Sequence, residues 1–193
     1  MEQGDKAKSK IKNWVELYLI RHGIAVEREI NTQDEERSLT NIGRQKTRKV
    51  AQQLYQLGIR FNLILTSPLV RSRQTAEIML SSGLSSQLEE SISLAPGGDI
   101  HDWLKGWLEQ RRHLTTTDHL ALVGHQPDLG QWAEILVWGE ARAGLVLKKA
   151  GIIGLTLPET GSLVGYSQMF WLTPPKFLLW SLVVKMITVK SAT

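Results

Sequence analysis

The amino-acid sequence predicts an α/β protein in which a mostly parallel sheet is covered by helices on both faces, a three-layer α/β/α sandwich. Three observations predict it. Short apolar runs alternate with longer amphipathic stretches along most of the chain, the pattern of repeated strand–helix units. The amphipathic stretches carry helix start and stop residues at their ends. The chain has 193 residues, 42% hydrophobic and 22% charged, which is one domain able to bury roughly 70% of its unfolded surface.

Each element has its own signal. Glu16 to Ile20 is a short apolar strand. Thr40 to Gly58 reads as a helix, with Thr40 as N-cap, Val50, Leu54 and Leu57 as a buried stripe, and Gly58 as the stop. Phe61 to Leu65, "FNLIL", is a second strand. Pro68 to Leu80 is a helix with proline in its first turn. Asp99 to His113 places Trp103, Leu104, Trp107 and Leu108 at helical spacing, with Asp99 as its N-cap. His119 to Val123, "HLALV", is a strand, and Pro127 to Trp138 a fourth helix. Ile152 to Leu157 and Leu163 to Leu172 read as late strands forming a hairpin. Residues 1–15, polar and lysine-rich, are expected to be a flexible extension, 16–181 the single domain, and 182–193 a tail.

Composition narrows the function. There is no cysteine, so disulfides, thiolate catalysis and cysteine metal sites are excluded. No run is long and apolar enough to span a bilayer, and no membrane partner is expected. The net charge of +4 and the sequence pI of about 9.4 favour anionic partners. The basic residues are scattered, so a nucleic-acid partner is not expected. His101, His113 and His119 do not share the i, i+4 spacing of a helical metal pair and read as structural or surface residues; no metal and no cofactor are expected. The seven tryptophans read as core and packing residues.

In a parallel sheet, ligands bind beyond the C-terminal ends of the strands. Three strand ends here carry related residues. "LIRHG" ends the first strand with Arg21, His22 and Gly23. "TSPLVRSRQTAE" follows the second with Ser67 and Arg71. "GHQPD" follows "HLALV" with Gly124 and His125. Two guanidiniums and two imidazoles converging on one crevice make an anion site, because arginine donates two parallel hydrogen bonds to a phosphoryl group. A neutral imidazole can also attack phosphorus. Gly23 and Gly124 are expected to let a ligand approach the backbone, and the helix after Ser67 to offer free N–H groups to an anion.

"LIRHG", "LTNIGR", "LILTSPLVRSRQTAE" and "LALVGHQPDL", in this order, resemble the histidine phosphatase superfamily, whose fold is phosphoglycerate mutase-like. The segments "LAPGGDIHDWL" and "GYSQMFWLTPPKFL" are closer to its SixA-type phosphohistidine phosphatase branch. The resemblance spans residues 16–179. It implies that His22 is the nucleophile, that Arg21 and Arg71 bind the phosphoryl oxygens, and that His125 donates a hydrogen bond to the transferring group.

The chain also departs from the pattern. The resemblance leads one to expect a glutamate just before the "LxPGGD" segment, where Ser93 stands. Glu89, Glu90 and Asp99 are the nearby candidates for a general acid that protonates the leaving group. A phosphohistidine has a labile P–N bond and needs such help less than an alkyl phosphate does. Ile24 and Ala25 follow "RHG" in place of the polar residues that hold small phosphorylated substrates in mutases.

The expected function is a phosphatase acting on a phosphorylated protein such as a histidine phosphotransfer domain, in the cytoplasm. The alternatives are a broad phosphomonoesterase on small phosphate esters and a non-catalytic phosphate- or phosphoprotein-binding module. Lys148 and Lys149 read as a solvated face; the alternative places them near the crevice mouth, where they would draw in an acidic partner.

Overall fold

The computed structural model describes residues 14–28, 33–111 and 118–179. The predicted tail at 182–193, nearly all of the predicted extension at 1–15, and His113 lie outside these residues. Six strands form one sheet: β1 (Val15–Arg21), β2 (Leu63–Thr66), β3 (Leu88–Glu90), β4 (Asp118–Gly124), β5 (Ile152–Leu157) and β6 (Gln168–Thr173). Their order across the sheet is β3-β2-β4-β1-β5-β6. β1, β2, β3 and β4 pair in parallel, whereas β5 runs antiparallel to both β1 and β6. The expected mostly parallel sheet and late hairpin are both present.

β1 shows why the sheet needs two covers. Its residues alternate between faces yet are almost all apolar. Leu17 and Leu19 join a core with Leu104 and Trp107 of α3 (His101–Arg111) and Leu129, Ala133 and Leu136 of α4 (Asp128–Trp138). Tyr18 and Ile20 join a second core with Val50 and Leu54 of α1 (Asn41–Gln56) and Ala76 and Met79 of α2 (Val70–Ser81). Each fully buried aliphatic side chain contributes roughly 1.5–3 kcal/mol, so both covers stabilise the same strand and hold its C-terminal end still.

The helix limits follow their caps. Thr40 Oγ1 accepts the Gly43 N–H at 2.9 Å, and Gly58 takes a left-handed φ of 80° just past α1, as an N-cap and a terminating glycine should. Leu57, expected in the buried stripe, is instead exposed, because it is the C-cap and has turned off the helical face. α2 begins at Val70 rather than at Pro68, with extended Leu69 as its N-cap. Asp99 caps as expected, its carboxylate accepting the His101 N–H at 2.8 Å. The last strand is shorter than predicted, since residues 163–167 form a turn before β6.

One glycine decides how the strand end meets α1. A Cβ on Gly43 would overlap the Ile24 carbonyl, which is itself held by the Thr40 N–H at 2.9 Å. Backbone meets backbone there, so neither side can yield. Gly43→Ala is expected to cost about 1–3 kcal/mol, read as a lower urea midpoint with an unchanged slope.

Candidate active site

The register of the sheet assembles the site. Arg21 of β1 lies opposite Gly124 of β4, so the next residues, His22 and His125, emerge side by side. Their ring centroids are 5.2 Å apart, and the His22 N–H donates to the Gly124 carbonyl at 3.0 Å. Ser67 follows β2 on the other flank of β4, its N–H on the Val123 carbonyl at 3.0 Å. Arg71, in the first turn of α2, is buried and reaches back over these strand ends, with Nη2 3.4 Å from His125 Nδ1.

The hydrogen bonds fix which ring nitrogens carry protons. His22 Nδ1 lies 2.7 Å from the Gly23 carbonyl. A carbonyl only accepts, so Nδ1 carries the proton and Nε2 keeps its lone pair. His125 Nδ1 faces the guanidinium of Arg71, which only donates, whereas Nε2 is 2.8 Å from Ser67 Oγ and 3.3 Å from Ser72 Oγ. The proton of His125 is therefore on Nε2.

Burial pushes the His22 imidazole down to about 3, with His125, Arg71 and Arg21 opposing its protonation further and the Gly23 carbonyl only partly offsetting them. Burial and Arg71 push His125 down to about 4. Both rings are neutral at pH 7. In the unfolded chain they take up protons below about 6.5, whereas the folded chain resists until pH 3–4. The unfolded state therefore binds more protons in that window, and stability is present above pH 6.5 and lost as pH falls toward 4. The urea midpoint is expected to drop between pH 7 and pH 5, while NMR still finds both imidazoles neutral at pH 5.5.

The two arginines are held differently. Arg21 donates through Nη1 to the Leu147 carbonyl at 2.7 Å, and its buried Nε has no hydrogen-bond partner among the described residues. Arg71 donates to the Asp34 carbonyl oxygen at 2.6 Å and to Asp34 Oδ2 at 2.8 Å. The Leu147 carbonyl sits in an irregular loop, residues 139–151, that crosses the strand ends. Glu134 of α4, fully buried, shapes that loop by accepting the N–H groups of Arg142, Ala143, Gly144 and Leu145 at 2.5–2.8 Å. Burial alone would raise this carboxyl, but the four donors hold it below its ordinary value. The loop returns to the site through the Ala150 N–H, shared by the Arg21 and His22 carbonyls. Lys148, exposed, and Lys149, half-buried, precede Ala150 on this loop.

Of the residues expected in the site, His22, Arg21, Arg71 and His125 come together. Three others serve the scaffold. A Cβ on Gly23 would overlap Thr47 of α1, and the Gly23 N–H donates to Thr75 Oγ1. A Cβ on Gly124 would press against Leu129 at 3.3 Å. Both glycines thus allow close helix packing at the strand ends. Ser67, with no exposed surface, holds His125. The three candidate acids make no contact with the imidazoles or Arg71: Glu89 and Glu90 are exposed on edge strand β3, with Glu90 3.6 Å from Arg73, and Asp99 is engaged with its own helix. His101 is exposed at the start of α3 and His119 bonds the Arg60 carbonyl. Among the described residues no helix is long and apolar enough to cross a membrane.

Sequence reasoning missed Asp34, Ser72, Thr75 and Glu134. Thr75 and Ser72 had a signal, since they share the first turns of α2 with Arg71. Asp34 had none, sitting in "TQDEER" beside two glutamates of the same charge.

The family described as "Histidine phosphatase superfamily (branch 1)" matches residues 17–121. An uncharacterized protein of Picosynechococcus sp. is 46% identical over 86% of this chain and 99% of its own length. Among solved structures, the protein histidine phosphatase SixA complexed with tungstate superposes with a TM-score of 0.71 at 24% identity, covering 84% of this chain and 99% of that one. A phosphoglycerate mutase of Bacillus anthracis gives 0.66 at 15% identity, covering 89% and 98%. At these identities the structures establish the shared fold.

Proposed function

The chain belongs to the histidine phosphatase superfamily, and on that premise we propose that it is a phosphatase that works through a covalent phosphohistidine on His22, with phosphohistidine on a signalling or phosphotransfer protein as its substrate. The observation that carries this reading is the neutral His22 ring, whose Nδ1 proton is tied to the Gly23 carbonyl so that Nε2 is the free nucleophile.

In the first step His22 Nε2 forms a bond to phosphorus as the bond to the leaving nitrogen breaks, the electron pair going to that nitrogen. Arg21 Nε and Arg71 donate to the equatorial oxygens, where charge spreads in the transition state. The same oxygens offset Arg21 and Arg71, two of the charges that keep His125 unprotonated. As Arg71 turns to the phosphoryl oxygens, His125, steadied by Ser67 at Nε2, can take a proton on Nδ1 and donate it in a hydrogen bond to the transferring group. In the second step water attacks phosphorus, the P–Nε2 bond breaks, and inorganic phosphate leaves.

The substrate preference rests on three features of this chain. Ile24 and Ala25 bring no polar groups for a small phosphorylated metabolite. No candidate acid touches the site, which suits a leaving nitrogen that is already protonated. Lys148 and Lys149, on the loop that crosses the strand ends, favour an acidic partner surface.

The test incubates the protein with phosphorylated histidine domains and, in parallel, with sugar phosphates and nucleotides, followed by mass spectrometry of His22. Turnover of the domains with phosphate on His22 is the expected result. Faster turnover of the small esters would replace this substrate assignment with a broad phosphomonoesterase. A single equivalent released without turnover would make the protein a binding module.

Ser67→Ala is expected to lower kcat roughly tenfold with little change in KM, since it removes a hydrogen bond that steadies His125 but touches no substrate. Steady-state kinetics decides this, and a change confined to KM would place Ser67 against the substrate instead.

A further inference from the structure

We propose that Asp34 sets the selectivity of the crevice for phosphoryl dianions: its carboxylate occupies the guanidinium of Arg71 as an internal anion, and a phosphoryl group enters by exchanging with it. This rests on the phosphatase reading of the same site.

Arg71 and Arg21 differ in what they have to give. Arg21 has a buried Nε with no hydrogen-bond partner among the described residues. Arg71 has its two terminal nitrogens on Asp34, Nη1 on the carbonyl oxygen at 2.6 Å and Nη2 on Oδ2 at 2.8 Å. One carboxylate oxygen and the main-chain carbonyl oxygen of the same residue thus fill the guanidinium fork that two oxygens of a phosphoryl group would take. The Arg71 side chain is 5% exposed and that of Asp34 29%, so the carboxylate lies on the solvent side, where an arriving anion must pass.

Asp34 is built into that position. Arg37 Nη1 holds its Oδ1 at 2.7 Å, and Arg37 Nε is fixed on the Val26 carbonyl at 2.9 Å. Against the opposing effect of partial burial, Arg37 and Arg71 keep the Asp34 carboxyl below its ordinary value, so it stays ionised. Asp34 also acts on His125, favouring its protonation against Arg71 and Arg21.

An internal carboxylate discriminates by charge. A carboxylate ligand, such as an acidic side chain on a protein surface, brings one negative charge and meets an equal competitor already in place. A phosphoryl dianion brings two and gains Arg21 Nε in addition. After hydrolysis, Asp34 reclaims Arg71 and helps expel phosphate.

The test reads binding without turnover. Wild type and Asp34→Asn are titrated calorimetrically with inorganic phosphate and with acetate at pH 7.5. Asparagine keeps the shape and the backbone carbonyl but loses the charge. Phosphate is expected to bind Asp34→Asn roughly tenfold tighter, the scale of one charge-assisted hydrogen bond no longer competed for, and acetate to bind the variant alone. Equal or weaker phosphate binding by the variant, or no phosphate binding by either protein, overturns the proposal. The first result would make Asp34 a residue that merely positions Arg71. If the variant does not fold, the wild type still decides: its Asp34 carboxyl ¹³C signal is expected to shift on adding phosphate, and a signal that stays in place overturns the exchange. Tighter binding by the variant in a protein that releases phosphate from no substrate would defeat the phosphatase reading and leave the role of Asp34 standing.

Discussion

His22→Ala is expected to abolish turnover, by roughly 10⁴-fold or more, the scale on which removing a covalent nucleophile acts. Two properties of the site make the loss this large. Nε2 is the only imidazole nitrogen of the pair free to attack, because His125 has its Nε2 proton on Ser67 and its Nδ1 against Arg71. The orientation of His22 is also fixed from both ends, its backbone N–H on Gly124 and its Nδ1 on Gly23, so no other group can take its place. Inorganic phosphate should still bind the variant, since both arginines remain. Mass spectrometry after incubation with substrate should find no phosphorylated residue. A variant that retains wild-type turnover rules out the nucleophile assignment.

Arg71→Ala is expected to lower kcat/KM by roughly 10²–10³, with KM raised and kcat lowered together, because the guanidinium meets the phosphoryl oxygens in both the ground state and the transition state. Arg71→Lys should recover little, since an ammonium is a point charge and cannot span two oxygens. A second consequence separates this role from a structural one. Arg71 opposes protonation of both His125 and His22, so removing it raises both imidazoles toward their ordinary value. The acid limb of the pH profile should move to higher pH in the alanine variant, and NMR titration should show His125 rising above about 4. An unchanged kcat/KM would remove Arg71 from the site.

Much of the site was legible because it follows from strand ends. "LIRHG" and "GHQPD" each close an apolar run, and two adjacent parallel strands in register bring such closures together without further information. Arg71 was legible because it lies one helical turn past the end of a strand. The glycines were located correctly, but their packing role was not legible. Composition shows that Gly23 lacks a side chain, but only the packing of α1 shows that Thr47 fills the space. Asp34 and Glu134 were illegible for a different reason. Each acts through a contact distant in sequence, Asp34 with Arg71 and Glu134 with residues 142–145, and a carboxylate in a polar stretch or on a helix does not announce what it will meet. The fold shows the same division: Leu57 fits the helical stripe by spacing and is exposed because the helix has ended there.

Glu134 has a consequence for how this surface can change. The loop over the crevice is held by a carboxylate that binds only main-chain N–H groups. Every amino acid except proline supplies such a group. The exposed side chain at 142 can therefore be exchanged without loosening the frame that presents the Leu147 carbonyl to Arg21, whereas Leu145 also packs against the core. Ala143 is a stricter position, since its φ of 54° disfavours bulky and branched replacements. The fold thus separates the buried arginine from its outer face: the exposed rim can be rewritten while the arginine beneath it stays where it is.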